Sequence, residues 1–156
     1  MATIGDLDTV VRAVRAARAL GKTIVLANGA FDLLHVGHLR YLQGAKRCGD
    51  LLVVAVNADA SVRRAKGPTR PLVPEGERAE LVAALACVDW VTVFEDDDVR
   101  RIIRALEPDV HAKGTDYTAD SVPERDEVLA YGGRVEITGD AKDHSTTSTV
   151  ERLRKG

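Results

Sequence analysis

Thr23-Ile-Val-Leu-Ala-Asn-Gly-Ala-Phe-Asp-Leu-Leu-His-Val-Gly-His38 joins a short apolar run to a turn and then to the first residues of a helix. The run at 23–27 is β-branched and apolar on both faces, which reads as a strand buried inside a parallel sheet. Gly29 lets the chain turn without a Cβ penalty, and Gly37 lets a ligand approach the start of the next helix. That helix occupies 36–48, with Leu39, Leu42 and Ala45 on one face and Gly49 after it. Its first N–H groups have no partners within the helix and the positive end of its dipole faces the turn, so the junction suits an anion. His35 and His38 are three residues apart and share a helix face. Two imidazoles there can donate hydrogen bonds to phosphate oxygens as charge builds up. The plainer reading is a polar helix start whose histidines cap or pack. A metal reading is weaker, because no cysteine or carboxylate stands at a familiar ligand offset.

The same alternation continues in both directions. Upstream, Leu7, Val10, Val11 and Val14 lie at helical spacing within 6–20, and Gly21 ends the run. Downstream, strands are expected at 51–56, 90–94, 109–112 and 134–137. Helices are expected at 77–86, 98–106, 121–131 and 148–154. Residues 58–74 break the rhythm with Lys66, Gly67, Pro68, Arg70, Pro71 and Pro74, and read as a long substrate loop. The whole chain, 1–156 with an N-terminal helix in 1–21, therefore reads as one α/β Rossmann-like domain. Its expected core is a five-stranded parallel sheet with helices on both faces. Ligands of such sheets bind at the carboxyl ends of the strands, near a topological switch point.

Composition narrows the class. The 156 residues carry 22 Lys and Arg against 24 Asp and Glu, a net charge of −2. That balance argues against a nucleic-acid scaffold or a polybasic membrane binder, yet allows a local basic pocket. No apolar run approaches the ~18–20 residues of a membrane span. The N-terminus lacks a secretory layout, and two cysteines, Cys48 and Cys87, suit a reducing compartment. A cytoplasmic protein is expected. Two familiar nucleotide motifs are missing. Gly21-Lys22-Thr23 resembles the end of a P-loop but has Ala16 where that motif needs glycine, and no G-x-G-x-x-G occurs.

His35-Val-Gly-His38 behind Gly29-Ala-Phe-Asp32 resembles the H-x-G-H nucleotidyltransferase superfamily. Further segments are similar to the heptose 1-phosphate adenylyltransferases of ADP-heptose synthesis. They are Ala45-Lys46 with Gly49-Asp50, Val54-Ala-Val-Asn-Ala-Asp59, Lys66-Gly-Pro-Thr-Arg-Pro71, Lys113-Gly-Thr-Asp-Tyr117 and Ser145-Thr-Thr147. The resemblance implies adenylyl transfer from ATP to a heptose 1-phosphate, giving ADP-heptose, a lipopolysaccharide precursor, and pyrophosphate. It implies His35, His38 and Lys46 as catalytic residues. It implies nucleotide contacts at Gly29, Ala30, Phe31, Gly37, Lys113, Gly114, Thr115, Asp116, Ser145, Thr146 and Thr147. Lys66, Arg70 and Arg78 would hold the acceptor or the leaving phosphates.

Mg²⁺ is expected with the triphosphate, held mainly by phosphate oxygens and water, with no protein ligand assigned. A homodimer is implied by the resemblance alone. Many such enzymes are fused to a sugar kinase, for which 156 residues leave no room.

Several of these residues have structural alternatives. Lys46 fits a solvated helix face and Arg78 an exposed ion pair, while Asp32 fits loop ordering. Ser148-Thr-Val-Glu151 fits a capping box, and Glu95-Asp-Asp-Asp98 complements a helix dipole. His111 and His144 have no assigned role. Glycerol-phosphate cytidylyltransferases are also similar, but carry Arg-Thr-Glu-Gly-Ile where this chain has Asp140-Ala-Lys-Asp-His144, and an aspartate at Thr115. A cytidylyltransferase acting on a small phosphorylated alcohol or phosphonate is the alternative enzyme. A catalytically silent nucleotide-binding module is the alternative of another class.

Overall fold

The apolar runs at 23–27 and 51–56 become neighbouring central strands in the computed structural model, which describes residues 1–141 and 146–156. The strands are β1 (Thr3–Ile4), β2 (Ile24–Gly29), β3 (Leu51–Asn57), β4 (Trp90–Phe94), β5 (Val110–Lys113) and β6 (Arg134–Ile137). They form one sheet in the order β1-β4-β3-β2-β5-β6, and every pairing is parallel. The helices are α1 (Leu7–Ala19), α2 (Val36–Lys46), α3 (Asp59–Lys66), α4 (Glu75–Ala83), α5 (Arg100–Leu106), α6 (Arg125–Ala130) and α7 (Thr146–Lys155).

The pleat divides the central strands between two cores. Val25, Ala27, Leu52, Val54 and Val56 pack against Leu42 and Ala45 of α2 and Ala79, Val82 and Ala83 of α4. Ile24, Leu26, Val53 and Ala55 face the other way, onto Val10 and Val14 of α1 and Ile102, Ile103 and Leu106 of α5. Burial on both faces explains why these strands are apolar throughout. Among the described residues, no helix is long and apolar enough to cross a membrane.

Three details differ from expectation. The sheet has six strands, because Thr3–Ile4 pairs beside β4; Thr3 N–H donates to Asp89 O at 3.2 Å and Gly5 N–H to Val91 O at 3.0 Å. Two residues carry no readable period. Part of the expected 58–74 loop is α3, whose buried face is only Ser61 and Val62. A single apolar contact at helical spacing is too little pattern to reveal a helix. Finally, α7 begins at Thr146, which puts Ser148 inside the helix and not at its cap.

The chain leaves β2 for β3 and β4 on one side of the sheet, then crosses back to β5 and β6 on the other. The crevice at the carboxyl ends of β2 and β5 is therefore the topological switch point.

Candidate active site

His35 and His38 sit over that crevice at the start of α2. His35 is the N-cap, with extended backbone (φ −136°, ψ 175°), and its Nδ1 accepts from Gly37 N–H at 3.1 Å. His38 Nδ1 in turn accepts from His35 N–H at 3.3 Å. This is a capping box built from two imidazoles. Each Nδ1 is committed as an acceptor, so a lone proton on either ring sits on Nε2. The rings stack with centroids 3.9 Å apart at 21°, and Phe31 lies 5.4 Å from the His38 ring.

Burial, helped by the nearby His35 and Lys66, pulls the His38 pKa down to about 4, against the opposing pull of Asp32. Burial also lowers that of His111 to about 3, with Lys113 adding to the effect. Both rings are thus neutral donors at pH 7. An unfolded chain protonates them near pH 6.5, whereas the fold resists until about 4 and about 3. Their contribution to stability is complete above pH 6.5 and is lost as the pH falls through these lower values. The urea midpoint is therefore expected to be level from pH 8 to 7 and to fall steadily from 6.5 to 4.5. A midpoint unchanged over that lower interval would contradict neutral buried histidines.

The turn before α2 is held under strain. Phe31 (φ 53°) and Leu33 (φ 48°) both occupy the left-handed region, at a cost of roughly 1–3 kcal/mol each. Between them, buried Asp32 accepts from Leu72 N–H at 2.9 Å, Val73 N–H at 3.0 Å and Arg70 Nε at 3.2 Å. Burial works against its charge, but these donors outweigh it and keep the carboxyl below its ordinary pKa. A Cβ at Gly29 would stand 3.2 Å from the Phe31 ring, a close approach to which the ring would have to yield by a few tenths of an ångström.

A cleft of about 570 Å³ opens above these groups. Its walls come from the ends of β2, β3 and β5, the end of α3, the start of α2, and the segment after β6. Lys66 and Lys113 bring positive charge to it. Lys113 is only 8% exposed, and its ammonium lies 4.6 Å over the Tyr117 ring. Burial lowers its pKa, while Glu124 and Asp116 favour the charged form. Thr115 Oγ1 donates to Asp140 O at 2.6 Å, and Asp140 pairs with Arg40. Such a neutral-donor and ammonium lining can hold a polyanion and stabilise charge developing on it.

Of the residues expected from sequence, the structure brings His35, His38, Gly29, Ala30, Phe31, Gly37, Lys66, Lys113, Gly114, Thr115, Asp116 and Thr147 to this cleft. Thr146 opens α7, and Ser145 and His144 lie outside the described residues. Three assignments need correction. Lys46 is eight residues beyond His38 on α2, about 12 Å along the helix axis. It reaches the opposite end of the sheet, where Nζ donates to Asp89 Oδ2 and Asp50 O, both at 2.6 Å. Arg78 is fully buried, not exposed, and is spent on Ala30 O (2.5 Å), Asn57 O (2.7 Å), Val73 O (2.8 Å) and Asp59 Oδ1 (2.8 Å). It braces the segments after β2 and β3 and offers no free face to an acceptor. Arg70 lies off the cleft wall, buried against Asp32. Asp32 does order the loop.

Sequence reasoning gave no site role to Asn28, Asn57, Tyr41, Tyr117, Thr138 and Gly139, which also line the cleft, and it used Asp140 and Ala141 only as a departure from the similar cytidylyltransferases. Tyr41 was within reach, because it stands three residues after His38 on the same helix face. Its hydroxyl accepts from Asn28 N–H at 3.3 Å and donates to Ala112 O at 2.6 Å. It thereby closes the gap where β2 and β5 part.

A sequence profile described as cytidylyltransferase-like matches residues 26–152. The chain belongs to the cytidylyltransferase-like family. The matched span runs from Leu26 in β2 to Arg152 in α7, so this cytidylyltransferase-like chain keeps every segment of its cleft inside the family region. The bifunctional protein HldE of Geotalea uraniireducens is 50% identical over 155 residues, which are 99% of this chain and 32% of that protein. HldE of Syntrophotalea carbinolica is 54% identical over 136 residues, 87% of this chain and 28% of that one. The chain thus spans about a third of the length of these curated relatives. A crystal structure of the lipopolysaccharide core biosynthesis protein from Thermoplasma volcanium is similar, with a TM-score of 0.64 and 32% identity. That likeness covers 75% of this cytidylyltransferase-like chain and 94% of the other.

Proposed function

We propose that the chain transfers the adenylyl group of ATP to a heptose 1-phosphate, releasing pyrophosphate and forming ADP-heptose for a lipopolysaccharide precursor, in the cytoplasm. The observation that carries the reading is the stacked His35–His38 pair, set at a helix N-terminus over the switch-point crevice. Lys66 and Lys113 flank the same space. The high identity to HldE proteins and the likeness to a lipopolysaccharide core biosynthesis protein support the choice of sugar acceptor. Thr115 supports ATP over CTP, since it replaces the aspartate of the similar cytidylyltransferases.

In this reaction an oxygen of the acceptor phosphate attacks the α-phosphorus. The new P–O bond forms as the bond to the bridging oxygen breaks, and the electron pair leaves with pyrophosphate. The acceptor phosphate is already ionised, so no strong base is required. Positioning and charge stabilisation supply the acceleration. His35 and His38 donate to the α-phosphoryl oxygens as their charge grows, and the lysines hold the outer phosphates and the acceptor. Among the described residues no three His, Cys, Asp or Glu side chains group as metal ligands. Mg²⁺ would come with the triphosphate as substrate, held mainly by phosphate oxygens and water, and no step is assigned to it.

Pyrophosphate release, measured for ATP and CTP each with heptose 1-phosphate and glycerol 3-phosphate, tests the reading. ATP with heptose 1-phosphate is expected to turn over at least about 100-fold faster than the other pairs, on the scale set by losing a recognised polar group. Turnover with CTP alone would overturn the adenylyl assignment. Nucleotide binding without turnover in any pair would point to a silent binding module.

A further inference from the structure

His111 is entirely buried in the sheet, far from any surface role, and the mechanism above does not use it. Its position on β5 pairs it with Leu26 of β2, so its side chain and that of Asn28 share the sheet face opposite α2. His111 Nε2 lies 2.9 Å from Asn28 Oδ1, while His111 Nδ1 is buried with no hydrogen-bond partner. The tautomer follows from that orphaned atom. A proton on Nδ1 would bury an unpaired N–H, and such donors are rarer in folded proteins than unpaired acceptors. The proton therefore sits on Nε2 and is donated to Asn28 Oδ1. With Oδ1 taken, the carboxamide is locked with its Nδ2 donors turned the other way. Asn28 lines the cleft at the end of β2, and its own backbone N–H is already held by the Tyr41 hydroxyl from the α2 side.

We propose that Asn28 donates a hydrogen bond from its carboxamide to an oxygen of the bound nucleoside triphosphate, and that buried His111 is the positioning residue that fixes this orientation. The proposal rests on the nucleotidyl-transfer reading of the cleft and adds to it a recognition residue and its support. A buried histidine with an unsatisfied nitrogen is a weak stabiliser, since leucine in its place removes the orphaned Nδ1 and forfeits the Asn28 Oδ1 contact, two changes that oppose each other. It is explained if it serves ligand binding. The two roles, structure and positioning, thus predict opposite signs for stability and binding.

Titration calorimetry with Mg·ATP on the full chain, paired with urea unfolding, distinguishes them. Asn28→Ala is expected to weaken Mg·ATP binding about tenfold, the size of one lost hydrogen bond to a charged or strongly polar oxygen. His111→Leu is expected to weaken it about three- to tenfold while unfolding at the same or a higher urea concentration than the parent. In the Asn28→Ala background the His111→Leu change is expected to cost less than about twofold, because the amide it positions is gone. The proposal is overturned by normal binding in Asn28→Ala, or by an equal His111→Leu loss in both backgrounds. It is also overturned if His111→Leu and His111→Gln both fail to fold, which would make the histidine structural. A parent that binds neither Mg·ATP nor Mg·CTP overturns the functional reading itself. A parent that binds and turns over, with Asn28→Ala titrating like it, removes only the Asn28–His111 inference.

Discussion

His38→Ala is expected to slow nucleotidyl transfer by about 10²–10³-fold, the usual cost of one preorganised donor to a developing oxyanion. The ring is poised for this use. It is neutral at working pH, with its pKa lowered to about 4 chiefly by burial, and its Nδ1 is anchored by the His35 N–H, so Nε2 carries the proton. The donor costs nothing to orient when charge appears, because the capping box fixed the ring when the protein folded. The loss should fall on kcat more than on KM, since the interaction strengthens in the transition state. The substitution also removes half of the capping box, worth about 0.5–2 kcal/mol of stability. Steady-state rates and a urea curve on the same preparation separate the two effects. A folded variant with near-parental kcat would show that the histidine pair caps a helix and does no chemistry.

The largest stability effect is expected from Arg78→Ala, a loss of about 3–5 kcal/mol. Sequence suggests a helix residue at liberty to bind phosphate, yet the structure buries its guanidinium completely. Three carbonyl oxygens, of Ala30, Asn57 and Val73, and the Asp59 carboxylate accept from it. Removing the fork strands these acceptors where the chain turns out of β2 and β3. Arg78→Lys should recover only part of the loss, because an ammonium cannot reproduce the planar fork. Against a total stability of ~5–15 kcal/mol, the alanine variant would be marginal at best. Its thermal midpoint is expected to drop by roughly 10 °C. A drop equivalent to less than about 1 kcal/mol would mean the brace carries little.

The contrast between His38 and Arg78 shows where sequence reasoning succeeds. The strand at 24–29, the glycine turn and the histidine pair are local, so their chemistry is legible from spacing alone. The central apolar strands were legible because burial on both faces leaves no polar alternation to confuse them. The fate of Lys46, Arg70 and Arg78 depends on distant partners, namely Asp89, Asp32 and the carbonyls of Ala30 and Asn57. A basic residue in a phosphate-binding protein looks the same in sequence whether it faces substrate or a buried carboxylate. Helix length decided the matter for Lys46, since α2 carries it away from the crevice. Asn28 and His111 were hidden for a related reason. They are 83 positions apart in the chain, and only the β2–β5 pairing brings their side chains together. The edge strand Thr3–Ile4 has too few residues for any pattern, and its existence follows from the open ladder of β4.

Placement of the α-phosphate is the central claim, and a crystal structure with a non-hydrolysable ATP analogue and Mg²⁺ tests it most directly. The α-phosphoryl oxygens are predicted to lie about 3 Å from Nε2 of His35 or His38, over the carboxyl ends of β2 and β5. An analogue seated elsewhere, or one whose phosphates turn away from both imidazoles, would contradict the account.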